Sequence, residues 1–197
     1  MKEQMLKFIK ENDRSIRIFI FIFILGLASG ILCFKYINIA SNNEFIDSFN
    51  KTLQIINNEN FKGISIFSNG IYNIFITYLV IIISVITIIT PVILFGMYFV
   101  TGFSTGIFIS VLLNIFGFSK GLLLTVSMSI IPSLLVITCL IFLGIKTIDF
   151  NNFILEKNNS NTILKQIIVY AMYFILTIPV MLLSVVIEQL SLPLFIN

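Results

Sequence analysis

The sequence predicts an all-α fold: a polytopic membrane helix bundle with about five transmembrane helices and an amphipathic helix in its outer loop. Three observations predict it. Of the 197 residues 58% are hydrophobic and 11% charged, against about 25% charged in a soluble domain, so too few charges remain to cover a water-facing surface. The charges also act as punctuation: none falls between Arg17 and Lys35, Lys62 and Lys120, Lys120 and Lys146, or Lys165 and Glu188. The first, third and fourth of these runs each match one crossing of a bilayer, which takes roughly 20 apolar residues per helix. Mean hydropathy is +1.07, and the length suits a single membrane domain.

The basic arm 1–17 precedes the first crossing, 18–36. That apolar run is longer than the roughly 7–15 residues of a signal-peptide core. It ends in Lys35-Tyr36 instead of a small-residue cleavage site, so it is expected to stay in the chain. The uncharged run 63–119 is far too long for one crossing. It is expected to divide into 72–89 and 91–116 at Thr90-Pro91, because proline lacks a donor N–H and disfavours helix in the residue before it. The last two crossings are placed at 121–145 and 166–190. Lipid offers no partner to a free backbone group, so each must be helical throughout.

Basic residues set the orientation. Lys2, Lys7, Lys10, Arg14, Arg17, Lys146, Lys157 and Lys165 fall on one side, and Lys35, Lys51, Lys62 and Lys120 on the other. The N-terminus is therefore expected in the cytoplasm, with a cytoplasmic loop at 146–165 whose Asn-rich part, 151–161, is mobile. The C-terminus is expected outside the cell membrane. In the extracytoplasmic loop 38–70, Phe45, Ile46, Phe49, Leu53 and Ile56 share a helical face. They suit a helix lying on the membrane surface or a docking surface for a partner.

Few residues could carry chemistry. Histidine and tryptophan are absent, which removes the commonest general base and metal ligand. Cys33 and Cys139 are too far apart for a redox or metal motif and read as packed apolar side chains. No cofactor, metal site, catalytic residue or nucleic-acid surface is expected. The spacings Gly26-x-x-x-Gly30 and Gly102-x-x-x-Gly106 allow two helix backbones to approach closely, within the protomer or in a homo-oligomer. Ser104, Thr105 and Ser110 could add hydrogen bonds between helices. Pro132 and Pro179 should kink the last two helices, shaping the bundle or marking a cavity. Glu188, the one acid near the outer end of the last helix, is a candidate for function or partner contact. Asn73 and Asn114 read as interfacial groups near helix ends.

The order of these motifs resembles the stage II sporulation protein M family over nearly all the chain. The resemblance is carried by the basic arm, the Gly26-Leu-Ala-Ser-Gly30 helix, the polar outer loop, Pro91 and the Gly102-Phe-Ser-Thr-Gly106 helix. Ser129-Ile-Ile-Pro132-Ser-Leu-Leu and the ending Val186-Ile-Glu188-Gln-Leu-Ser-Leu-Pro193 complete it. Many members of the wider superfamily look like Pro-His-Gly-x-x-Glu in the fourth helix; here Ser133, Leu134 and Ile137 stand in place of His, Gly and Glu. The resemblance implies a non-catalytic scaffold in forespore engulfment, acting with the peptidoglycan-degrading stage II sporulation proteins D and P. Distant relatives imply bacteriocin maturation, export or immunity instead. A small channel or transporter would require a polar cavity near Pro132 and Pro179.

Overall fold

The computed structural model of the chain describes residues 2–40, 64–85, 89–155 and 160–196. Almost all of these residues are helical and none is in a strand. Helix α1 (Lys2–Glu11) runs into α2 (Asp13–Ala40). Then come α3 (Ile64–Val85), α4 (Thr90–Thr125), a π-helical turn (Val126–Ile130), α5 (Ile131–Leu155) and α6 (Ser160–Ile196). Three helical stretches are long and apolar enough to cross a membrane: Asp13–Tyr36, Thr90–Leu155 and Lys165–Glu188. Gly70–Val85 is a shorter apolar helix. The surface helix expected around Phe45–Ile56 lies outside the described residues.

The stretch Thr90–Leu155 is a hairpin. Gly117 has φ 73° and ψ 176°, a conformation essentially reserved for glycine, and the chain reverses there. Behind the reversal Gly121 sits against the backbone of Leu112 and Leu113, and Leu112, Leu124 and Met128 close a small apolar cluster. The two legs run antiparallel, because Tyr98 reaches Leu140 and Thr105 reaches Ser133.

Helix α2 lies parallel to α4. A Cβ at Gly26 or Gly30 would strike the carbonyl oxygen of Phe99 or Phe103, and one at Gly102 or Gly106 that of Phe23 or Leu27. The two glycine pairs therefore face each other and bring the backbones together. Helices α5 and α6 pair antiparallel through Thr147 and Tyr170, and α3 and α6 through Tyr78 and Thr177. The core between them is aromatic: Phe19 stacks on Tyr98 at 4.4 Å between ring centroids, and Phe150 on Tyr170 at 4.6 Å.

The distribution of polarity is the reverse of that in a water-soluble protein. Ser84, Thr90 and Thr147 are fully buried, whereas Phe21, Phe75, Ile175 and Leu176 are more than 60% exposed. That outer surface is one a bilayer would solvate.

Several boundaries differ from the sequence expectation, among them the ends of the first and last crossings, which run on to Ala40 and Ile196. Helix α2 starts at Asp13 and α3 at Ile64, ahead of the purely apolar cores of their runs. The stretch 146–165, expected as a loop, is helical up to Leu155 and again from Ser160. Its polar side chains have partners that hold the helix: Lys146 pairs with Asp149 at 3.1 Å, and the buried Asn151 amide donates to Val85 O at 2.6 Å. Tertiary contacts thus override the weak helix propensity of asparagine.

Candidate functional site

Four helices each turn one polar stripe toward a common cleft of about 370 Å³. Helix α3 gives Gly70, Asn73, Ile74 and Thr77; α4 gives Thr101, Ser104, Thr105 and Phe108; α6 gives Met181, Ser184, Val185 and Glu188. Each set has the 0, 3, 4, 7 spacing of residues stacked on one helix face. The π turn and the start of α5 supply Met128, Ser129, Pro132, Ser133 and Val136. In the π turn the Ile131 N–H bonds Val126 O. A widened turn directly before a proline absorbs the ring's clash with the preceding backbone, and such turns are frequent at functional sites.

The cleft is formed at the end of the bundle that carries Gly117. Five of its hydroxyls have protons that are already engaged, beside Ser104, Ser129 and the Asn73 amide. Thr77 donates to Asn73 O at 2.8 Å, Thr101 to Met97 O at 2.8 Å, Thr105 to Thr101 O at 2.8 Å and Ser184 to Met181 O at 2.6 Å. Thr105 Oγ1 and Ser133 Oγ lie 3.3 Å apart. With the Thr105 proton on Thr101 O, Ser133 is the donor of that bond. A hydroxyl carries one proton and two lone pairs, so these groups present acceptors to the cleft. Among the described residues, Glu188, exposed at one edge, is the ionisable side chain of the lining.

At the opposite end, where Pro91 opens α4, the bundle is closed by bonds between helices. Tyr98 Oη donates to Leu140 O at 2.7 Å, and the absence of a side chain at Gly144 makes room for that hydroxyl. Thr90 Oγ1 donates to Ser84 O at 2.6 Å, next to the Asn151 bond to Val85 O. Together they satisfy carbonyls at the C-terminal end of α3, which the helix itself leaves without partners. A smaller recess of about 240 Å³ is lined by Lys146, Asp149, Gln166 and Tyr173 among others. Lys146 Nζ stands 5.2 Å from the Phe8 ring centroid and 5.7 Å from that of Tyr173, a cation–π arrangement that ties α1 to α5 and α6.

Of the residues singled out in the sequence, Pro132 and Glu188 meet in the cleft, with Ser104, Thr105 and Asn73. Gly26, Gly30, Gly102 and Gly106 form the α2–α4 seam instead. Ser110 bonds its own helix at Gly106 O, Asn114 and Pro179 are exposed, and Cys139 lies in the core. The sequence reading missed Thr77, Thr101, Ser129 and Ser184 as cleft residues. The signal was present: hydroxyls and small residues recurring at helical spacing within otherwise apolar runs.

Among the described residues no three His, Cys, Asp or Glu side chains come together. Comparison with protein-family models, curated proteins and solved structures finds no match for the chain.

Proposed function

We propose that the chain is a five-crossing cell-membrane protein that works without catalysis, as a scaffold holding peptidoglycan-degrading partners during forespore engulfment. In this reading α2, α3, the two legs of the 90–155 hairpin and α6 are the crossings. The basic arm is cytoplasmic and the Gly117 end faces outward, where peptidoglycan lies. The observation that carries the reading is how the deepest polar groups are used. Tyr98, Thr90, Asn151 and Thr147 all bond backbone or a neighbouring helix, an arrangement that holds a shape. The glycine pairs are consumed inside the protomer, so partner proteins D and P, or a second copy, would dock on other faces, such as the exposed apolar faces of α3 and α6. The order of motifs along the chain is what supports engulfment as the process.

Deleting the gene in a spore-forming host should leave the septum intact and stall membrane migration around the forespore. Normal engulfment in that strain would refute the role. Membrane-impermeant thiol labelling of cysteines placed at the two termini should mark only the C-terminus in intact cells.

The cleft favours a second reading, a small channel or transporter, because hydroxyls line it near Pro132, one of the two prolines where that function would place a polar cavity; Pro179 is exposed and does not line it. The closed Pro91 end makes it a one-sided recess in this conformation. Uptake or efflux of a solute by proteoliposomes would be needed to establish transport.

A further inference from the structure

The chain enters the bundle as one almost unbroken helix. The Asn12 N–H bonds Phe8 O at 3.1 Å and the Ile16 N–H bonds Asn12 O at 3.0 Å. The ladder of α1 thus carries on into α2, and a face can be followed from one to the other. One face is turned inward: Phe8 lies against Phe142 and Lys146, and Phe19 against Tyr98. The opposite face is basic. Lys7, Lys10, Arg14 and Arg17 are three or four residues apart, so they stack in one strip, and all four are exposed.

The strip has more positive charge than its own acids take up. Lys7 pairs with Glu11 at 3.9 Å and Arg17 with Asp13 at 2.7 Å. Between them Lys10 and Arg14, one turn apart, have no acidic partner among the described residues. The same strip continues along α2 as Phe21, Ile24 and Leu25, which are 61%, 54% and 47% exposed. Two unneutralised cations therefore stand over an apolar face that a bilayer would cover.

The spacing along the axis fits a lipid. On α2 the first exposed apolar residue is Ile18. Arg14 precedes it by about 6 Å of helix and Lys10 by about 12 Å. The polar layer of a bilayer is about 5–8 Å deep on each side. Arg14 is then level with the headgroups, and Lys10 stands just outside them, within a Debye length of about 8 Å. A guanidinium matches a phosphate through two parallel N–H bonds. The acids beside the strip, Glu11 and Asp13, are each already paired with a basic neighbour. An ammonium headgroup finds no free carboxylate there, whereas a headgroup of net negative charge finds two free cations.

We propose that Lys10 and Arg14 hold the headgroup of an anionic glycerophospholipid whose acyl chains lie along Phe21, Ile24 and Leu25. The inference rests on α2 being a membrane crossing and on nothing in the engulfment role.

The chain has no tryptophan, so Phe21→Trp places a single fluorescent reporter on this face. The full chain is reconstituted in phosphatidylcholine vesicles that contain either dibrominated phosphatidylglycerol or dibrominated phosphatidylcholine, and quenching is compared at equal mole fraction. Phosphatidylglycerol should be preferred at least about fivefold, the effect of one basic residue at an anionic surface. Lys10→Gln combined with Arg14→Gln should abolish the preference. Ile83→Trp reports from an exposed position on α3, a helix without Lys or Arg, and should show none. Equal quenching of Phe21→Trp by the two lipids, a preference that survives the double substitution, or the same preference at Ile83→Trp would each overturn the proposal. So would loss of the preference on adding glycerol 3-phosphate at constant ionic strength, which would assign the strip to a soluble anion. If neither lipid quenched Phe21→Trp, α2 would not be a crossing and the proposal would fall with it, a result distinct from equal quenching. The lipid comparison and the Ile83→Trp control leave the basic strip intact, so they decide the matter even if the double variant does not fold.

Discussion

At the Pro91 end of the bundle, polar side chains reach across to neighbouring helices; at the Gly117 end, most turn back onto their own. Tyr98 crosses to Leu140 O, Asn151 to Val85 O, and Tyr170 pairs with Thr147. Thr77, Thr101, Thr105 and Ser184 instead bond carbonyls three or four residues earlier in the same helix. One longer bond, Thr105 to Ser133 at 3.3 Å, spans two helices at the cleft. Reach explains the contrast. Packed helices have axes about 8–10 Å apart. A tyrosine or asparagine can bridge them, while a serine or threonine satisfies itself more easily on its own backbone. Bridged helices are held together. Self-satisfied helices are free to stand apart and leave a cleft.

The seam between α2 and α4 is the part of the bundle on which both ends depend. Gly102→Leu would put a side chain where Phe23 O now lies, and a carbonyl in a packed helix cannot step aside as a flexible side chain can. We expect a loss of about 3 kcal/mol, seen as a lower detergent midpoint for unfolding in mixed micelles. Both ends should open together, with new thiol reactivity at the buried Cys139. A folded protein with an unchanged midpoint would show that the α2–α4 contact does not hold the bundle.

The closed end should then prove more sensitive to loss of a single polar side chain. Asn151→Leu removes the donor to Val85 O and leaves a buried carbonyl without it. The expected cost is about 2 kcal/mol in the same unfolding measurement. A loss below that of any cleft hydroxyl would invert the comparison.

How far each end could be read from the sequence follows from the same difference. The apolar runs, the glycine spacings and Pro132 are local features, and they are visible as such. What they face is set by tertiary structure: nothing in the two glycine motifs says that they pack on each other. By sequence Asn151 reads as part of a polar loop, because its partner, Val85 O, is far away along the chain. The residues 146–155 are helical for that reason and because Thr147 and Tyr170 pair. At the cleft the stripe spacing on α3, α4 and α6 was legible, yet hydroxyls in membrane helices commonly serve packing, so the stripes alone did not mark a cavity. The π turn before Pro132 has no sequence signature beyond the proline itself.

A smaller effect is expected where α1 meets the bundle. Lys146→Met removes the cation held between Phe8, Tyr173 and Asp149. The methionine still covers the rings. We expect a loss of about 1 kcal/mol, with faster proteolysis of the N-terminal arm as the more sensitive reading. Unchanged proteolysis would mean that the aromatic contact of Phe8 with Phe142, at 5.6 Å between centroids, is sufficient to hold the arm.

The smallest effect should come from Thr105→Val at the cleft, even though Thr105 makes more hydrogen bonds than most residues there. Its bond to Thr101 O duplicates a carbonyl that already serves the helix. Its bond from Ser133 is long and faces a cleft that can supply an alternative partner. Valine preserves the branched shape and the packing beside Gly106. We therefore expect a change within about 0.5 kcal/mol in the unfolding midpoint. Ser133→Cys at the same place should react with a small water-soluble maleimide, while Thr147→Cys, at the fully buried closed end, should not. If Thr105→Val proved as damaging as Asn151→Leu, the Thr105–Ser133 bond would be a structural clamp, and the cleft would be a packing defect bridged by that bond.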